Sequence, residues 1–409
     1  MTQTDAGWVR VVVDSYVAEL SAAVRSIDQN WIRSVSVTTA RKLGSEGARL
    51  FAQGNGGSSC IVDSFVHELT EKTGEALRGR ISSTWPLNQH IHAIQRDGFA
   101  ESNWALLRNA GFSPADVLYL VSGSGNSKNL VRMMTEAMRI EAAAFSITGA
   151  DGGRLAALSG NNLSVESSDQ QVVEDTAASI LLILASELSR EITGRPASAA
   201  DPVSWTAFLV ETLGQIDASW IDAASDKVVQ AITEGGKVSV MAPEGGSVAA
   251  VAEHIEHNIA WDLTHGYDLV PDVRWGATAA QYTALINDTG DPESPARRAL
   301  NGLVKSDFVL LLTLEAEMLK SYEEAGLSDD FFAVLGQDGS KPVRPTKACA
   351  AEVVSGERSI HLVVMQAFGH LILRCARGKL AGVMDGQSDH LIKGRIAAKP
   401  IAPMKHFFP

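Results

Sequence analysis

Residues 53–69 read QGNGGSSCIVDSFVHEL, a glycine-rich corner set directly in front of an apolar run at helical spacing. The corner follows the β-rich run ARLFAQ (48–53), so it stands where a strand hands over to a helix. Gly54, Gly56 and Gly57 open backbone angles closed to other residues and let the main chain approach a ligand. Ser58 or Ser59 is expected to cap the helix that runs through Leu69, and the first N–H groups of such a helix attract an anion. A second corner, LYLVSGSGNSKNL (118–130), repeats the arrangement and adds hydroxyls: Ser122, Ser124 and Ser127 flank Gly123, Gly125 and Asn126. One glycine-rich corner is an ordinary strand-to-helix turn. Two at matching strand ends, one dense in serine, point to a phosphate.

Working outward, further short apolar runs end in Gly, Ser or Asp: DVLYLVS (116–122), AAAFSIT (142–148), NLSVES (162–167), KVSVMA (237–242) and DFVLLLT (307–313). Amphipathic stretches such as VRVVVDSYVAELSAAVRSI (9–27) lie between them. Apolar strands alternating with helices predict an α/β fold, an open parallel sheet flanked by helices on both faces. Ligands in such sheets sit at the carboxyl ends of the strands, where both corners lie.

The chain also repeats itself. Ile27, Asp28, Trp31 and Ile32 match Ile216, Asp217, Trp220 and Ile221, and the same offset of 189 carries Gly56, Gly57 and Ser58 onto Gly245, Gly246 and Ser247. Asp116 of DVLYLVS faces Asp307 of DFVLLLT at an offset of 191. A duplicated domain is expected: 1–197, then 198–380, joined by the small-residue segment TGRPASAADPVSW (193–205) and followed by a tail, 381–409. Trp8, Trp31, Trp205 and Trp220 read as packing anchors. GDPESPARRA (290–299) and GQDGSKPVRPTK (336–347) read as loops, the latter as a lid.

Composition narrows the partners. Forty-eight acidic against 35 basic residues give a formal charge of −13, which argues against nucleic acid or an anionic membrane surface. Three cysteines in 409 residues are too few and too scattered for a disulfide framework or a zinc motif. The segment MTQTDAGWVRVVVDS has no basic n-region and no long apolar h-region, and no window approaches 18 uninterrupted apolar residues, so a spanning helix is excluded and the cytoplasm is the expected compartment.

The order GNGGSSCIVDSFVHEL, QRDGF, SGSGNSKNL, SITGADGG (54–69, 95–99, 122–130, 146–153) resembles sugar isomerase (SIS) domains, most closely phosphoheptose isomerases, over residues 15–190. The resemblance implies two tandem SIS domains, each a five-stranded parallel sheet, acting as a homo-oligomer (a dimer) on a phosphorylated sugar. It implies further that Ser122, Ser124 and Ser127, with Gly123, Gly125 and Asn126, hold the phosphate, and that Asn55, Gly56, Gly57, Ser58 and Asp97 face the sugar. Two such domains in one chain also look like the isomerase half of glucosamine-6-phosphate synthase, whose tail is echoed by DGQSDHLIKG (385–394). The implied activity is aldose–ketose isomerisation through an enediolate, a seven-carbon ketose phosphate being the favoured substrate. A non-catalytic sugar-phosphate sensor and an SIS-type lyase or etherase are the alternatives.

The family's chemistry is only partly present. Its members carry a histidine and, one turn later, a glutamate after the first loop, then a glutamine and a histidine on a later helix, and these four can hold zinc. The matching positions here are Ser64, Glu68, Val173 and Leu181, so Glu68 alone carries over as a catalytic candidate. The second copy shows the reverse defect: its would-be phosphate loop reads LTLEAEM, with Leu314, Glu315 and Glu317 for Gly123, Ser124 and Asn126. Its first helix, VAAVAEHIEHNIAWDL, places Glu253 and His257 one turn apart on one face, and the copy adds His254, His265, His361 and His370. Clustered His and Glu at that spacing suit a divalent metal such as zinc, so Glu253 and His257 are the metal candidates. His257 is also an acid–base candidate, lent by the second copy to the site of the first.

Overall fold

The computed structural model describes residues 5–83, 87–194, 201–242, 245–267, 307–314, 332–337, 349–354 and 357–386. The linker segment 195–200, Glu315 and Glu317, the proposed loop 290–299, the proposed loop 336–347 beyond Gln337, and the tail from 387 lie outside them, as does the side chain of His265. The chain packs as two compact units: Ala18–Val210, and Met1–Val17 together with Glu211–Pro409. The division falls inside two helices, α1 (Asp5–Arg25) and α9 (Pro202–Leu213), rather than at residue 197.

In the first-sheet unit, Ala18–Val210, the order after α1 is α2 (Gln29–Leu43), β1 (Leu50–Gln53), α3 (Gly57–Thr73), β2 (Ile81–Ser82), α4 (Leu87–Asp97) and α5 (Phe99–Asn109). There follow β3 (Val117–Ser122), α6 (Lys128–Arg139), β4 (Ala143–Thr148), α7 (Gly153–Leu158), β5 (Asn162–Ser164) and α8 (Gln170–Thr193). Five strands pair in parallel in the order β2-β1-β3-β4-β5. β1 and β3 are buried at every position, the pattern of a sheet covered on both faces. Helices α5 and α6 close over a core of Leu107, Leu118, Leu120, Leu130, Met133 and Met134. Met133 and Met134, which follow the serine corner, are therefore packing residues, whereas Met138 on the same helix is exposed.

β2 is two residues long, too short for alternation or apolar length to betray it. It nonetheless gives the sheet its fifth strand. Register at the top is tight: Ser122, the last residue of β3, lies opposite Thr148, the last of β4. Both strands deliver their following loops to the same end.

The second-sheet unit holds α10 (Ala218–Glu234), β6 (Val238–Met241), α11 (Gly246–Tyr267), β7 (Phe308–Thr313), β8 (Phe332–Gln337), β9 (Cys349–Val354) and α12 (Arg358–Gly386). Its sheet is parallel, in the order β6-β7-β8-β9. Among the described residues it has four strands rather than the five expected. Trp220 packs edge-on against Phe332 and Phe368 at ring separations of 5.4 and 5.1 Å, the anchoring role expected of it. The ring of Trp8 lies against Gly378 of α12.

Over Arg358–Ala381, α12 is long and apolar enough to cross a membrane by length and composition. Its apolar run is not continuous, because His361, Gln366 and His370 break it and Arg374, Arg377 and Lys379 follow it. In the fold 94% of its most apolar window is buried, so it is the core helix of its sheet.

Candidate functional site

The site is built at the carboxyl ends of β1, β3 and β4. After Gln53 the chain turns through Gly54, whose backbone presses on the first turn of α3: a Cβ there would lie 2.5 Å from the Ser58 carbonyl. Gly56, at φ 53°, is the N-cap of α3, and no side chain caps the helix. The expected cap by Ser58 or Ser59 is therefore replaced. Gly57 begins the helix and both serines sit inside its first turn, with Ser58 N–H donating to Asn55 O (3.1 Å) and Ser59 N–H to Gly56 O (2.9 Å). A serine already in helical backbone cannot turn its hydroxyl onto its own helix's next N–H groups as a cap does.

The serine loop is more constrained. Ser127 is the N-cap of α6, again with no side-chain cap. Helices α2, α8 and α10, by contrast, are each capped by an aspartate: Asp28, Asp169 and Asp217. A capping carboxylate at α3 or α6 would occupy the N–H groups that an anionic ligand needs. Helices α5 and α7 also begin on glycine without a cap, and Gly152 at the start of α7 belongs to the same neighbourhood.

Gly125 (φ +62°) is wedged against the Gly152 carbonyl, 2.1 Å from where a Cβ would stand, and a Cβ on Gly153 would stand 2.5 Å from Ser124 O. Gly125 N–H donates to Ser122 O (3.0 Å), Leu155 N–H to Gly125 O (2.9 Å) and Gly149 N–H to Gly123 O (2.9 Å). The Ser122 and Ser127 hydroxyls lie 3.2 Å apart, and Ser124 Oγ accepts from Asn126 N–H at 3.2 Å. Asn126 Oδ1 takes the Arg154 N–H at 3.1 Å and its Nδ2 donates to Ser124 O at 2.9 Å. The loop is thus preformed, with the Ser122 and Ser127 hydroxyls meeting at the start of α6.

Residues that sequence reasoning passed over complete the surround. The carboxamides of Asn55 and Asn129 form a reciprocal pair, two hydrogen bonds of 2.9 Å each, which ties the first corner to the start of α6. Asn55 therefore joins the two loops through one edge of its amide. Gln170 lays its amide against Gly123, where a Cβ would meet it at 2.6 Å, and donates to Glu174 Oε1 at 3.0 Å. Below the first corner, Gln53 donates to the Ser83 carbonyl and Asn103 donates to Gln53 (3.4 Å), while Asn103 Oδ1 lies 2.9 Å from His90 Nε2. Asn129 adjoins the serine motif and was legible there. Gln170 and Asn103 come from distant elements and leave no local signal.

Glu68 is 2% exposed, on the same face of α3 as Ser64 one turn earlier. A solvated helix carboxylate is excluded. Val173 and Leu181 are buried on α8, so three of the family's four ligand positions hold side chains with no affinity for zinc or, in Ser64, only a hydroxyl. Asp97 closes α4 and accepts from two nitrogens of Arg96, Nε at 3.0 Å and Nη2 at 2.5 Å. That hydrogen bonding holds its carboxyl below the usual carboxylate range. In the second-sheet unit Glu253 is exposed and His257 is half-buried, its ring stacked on Trp261 at 6.1 Å. The structure brings together His254 and His370 instead.

Residues 15–149 match the family model for the SIS domain. Over that stretch the chain is similar to SIS domains. It is 29% identical over 138 residues to a phosphoheptose isomerase of Mycobacterium tuberculosis, covering 32% of this chain and 67% of that protein. Against a phosphoheptose isomerase of Glaesserella parasuis it is 30% identical over 112 residues, 27% of this chain and 58% of the relative. Solved structures extend the likeness in fold beyond the SIS domain. The C-terminal domain of glucosamine-fructose-6-phosphate aminotransferase from Francisella tularensis has a TM-score of 0.56 at 10% identity, covering 94% of this chain and 95% of its own. Tagatose-6-phosphate ketose/aldose isomerase from Escherichia coli gives 0.54 at 12%, covering 92% and 94%.

Proposed function

We propose that the protein isomerises a phosphorylated sugar between aldose and ketose forms, with the phosphate held by the Ser122–Ser127 loop. The observation that carries this reading is the preformed loop itself. The Ser122 and Ser127 hydroxyls meet at the uncapped start of α6, with no basic side chain in the loop before Lys128, which suits an anion bound through backbone dipole and hydroxyl donors. Ser58 and the free edge of the Asn55 amide face the sugar, with Asp97 at the rim.

Glu68 is the base. It lies on α3, the helix that opens at the first glycine corner. A seven-carbon ketose phosphate is the substrate that the names of the relatives suggest. The carboxylate takes the proton from the carbon beside the carbonyl, the electrons moving into the enediolate, and returns it to the neighbouring carbon. No atom is gained or lost overall. His257, lent by a second copy of the chain in a homo-oligomer, would serve as the partner acid.

A sensor is the second reading, favoured by Ser64, Val173 and Leu181 standing where the family has its other reactive groups. Incubation with a panel of ketose phosphates, followed by product analysis, decides between them: isomer formation supports catalysis, while saturable binding without turnover supports the sensor.

A further inference from the structure

We infer that His254, Asn258 and His370, in the second-sheet unit, form a binding site for a divalent transition metal of the zinc class. The proposal does not rest on the isomerase reading. His254 and Asn258 stand one turn apart on α11, and His370 comes from α12, which packs against it. Both histidines are fully buried, at 0% exposure. Their Nε2 atoms lie 3.1 Å apart, and the Asn258 amide nitrogen position is 3.0 Å from one and 2.8 Å from the other. Three ligand-bearing side chains therefore aim at one point.

Two further features show that the point is built. Gly369 sits in the middle of α12, where glycine costs about 1 kcal/mol relative to alanine. A Cβ there would stand 2.4 Å from the Ile255 side chain, so the glycine is what lets α12 approach α11 at the level of the two histidines. Behind His370, the Tyr16 hydroxyl lies 3.2 Å from Nδ1, and the Arg374 guanidinium covers the tyrosine ring at 4.6 Å. A hydrogen bond at Nδ1 is the usual outer support of a metal-binding imidazole, because it fixes the ring and presents Nε2.

The chemistry selects the ion. Two imidazole nitrogens facing each other need either a shared proton or a cation between them. Tetrahedral zinc with bonds of about 2.0–2.1 Å holds its ligand atoms roughly 3.3 Å apart, close to the separations here. A half-turn of the Asn258 amide presents its oxygen as the third ligand. Imidazole donors favour zinc or cobalt over magnesium or calcium. Glu253 and His257, which the spacing alone picks out, point elsewhere: one is exposed and the other is stacked on Trp261.

The test is metal uptake by the full-length chain after chelator treatment and dialysis against zinc or cobalt. One ion per chain is expected, with tetrahedral cobalt absorption and two imidazoles counted by X-ray absorption at the metal edge. His254→Gln and His370→Gln should lower affinity by more than roughly a hundredfold, and Tyr16→Phe by about tenfold to a hundredfold. Glu253→Gln and His257→Gln should leave it unchanged. Failure of the wild-type chain to take up stoichiometric metal overturns the proposal, as does loss of uptake in the Glu253 or His257 variants. If the buried variants fail to fold, the wild-type imidazole count decides, and fewer than two imidazoles refutes the site.

Discussion

Just before β3, Asp116 accepts the Arg49 N–H at 2.8 Å; just before β7, Asp307 accepts the Lys237 N–H at the same distance. In both units the first residue of the strand then donates back, Val117 to Arg49 O and Phe308 to Lys237 O. Asp28 and Asp217 cap the helices that lead into the neighbouring strands β1 and β6. The two sheets thus start from one set of latches. They part at the strand ends, where β3 runs into Gly123 and a loop pressed between Gln170 and Gly152, while β7 runs into Leu314. A side chain in the place of Gly123 would have to displace the Gln170 amide, which lies 2.6 Å from where a Cβ would stand. The difference teaches that scaffold and site are separable: backbone latches persist where the loop chemistry does not.

The sharpest way to break this comparison is at the two helices that follow the first loops. Glu68→Gln should lower turnover of an established substrate by about 10²-fold or more with little change in melting temperature. The counterpart change, His257→Gln, separates the halves: unchanged turnover removes the second unit from the chemistry. Steady-state kinetics on both variants gives the answer.

Gly125→Ala comes next. At φ +62° with a Cβ only 2.1 Å from the Gly152 carbonyl, alanine must displace the loop. Sugar-phosphate affinity should drop by roughly a hundredfold, with about 1 to 3 kcal/mol lost from stability. Wild-type binding in this variant, read by calorimetry, would mean that the phosphate sits elsewhere.

Ser124→Ala removes one hydroxyl without moving the backbone. Binding should weaken by about 1 to 3 kcal/mol, the cost of a hydrogen bond to a charged group. Thr313→Ala at the end of β7 should leave sugar-phosphate binding untouched, and equal losses at both positions would contradict the assignment of the phosphate to one unit.

The smallest effect concerns Glu256 on α11. Burial, reinforced by the charge of Glu253, pushes its carboxyl up to about 7. A carboxyl raised in the folded state holds its proton more tightly there than in the unfolded chain. Its contribution to stability is fully present below the ordinary carboxylate range and is lost as pH rises through about 7. Glu256→Gln should therefore stabilise the protein by about 1 to 2 kcal/mol at ~pH 8, after allowance for partial exposure, and by little at ~pH 4. Melting curves at the two pH values test it, and equal shifts at both would refute the linkage.

Much of this protein is written locally. The corners at 53–59 and 122–127 carry their glycines and hydroxyls in consecutive residues, because a strand-to-helix turn and an anion-binding helix start are short-range structures. Alternating apolar strands and helices gave the parallel sheet, and the repeat at offset 189 foretold Trp220 as an anchor. What adjacency cannot encode is which distant side chains meet. That Asn55 pairs with Asn129, that Gln170 lies on Gly123, and that Glu68 is buried follow from how α3, α6 and α8 pack on the sheet. The sequence alone drew attention to Glu253 and His257, since they share a helical face at one-turn spacing. The tertiary structure turned that face outward and brought His254 to His370, 116 residues away, because a glycine in α12 lets the two helices close. Burial and helix approach are properties of packing, and no window of consecutive residues contains them.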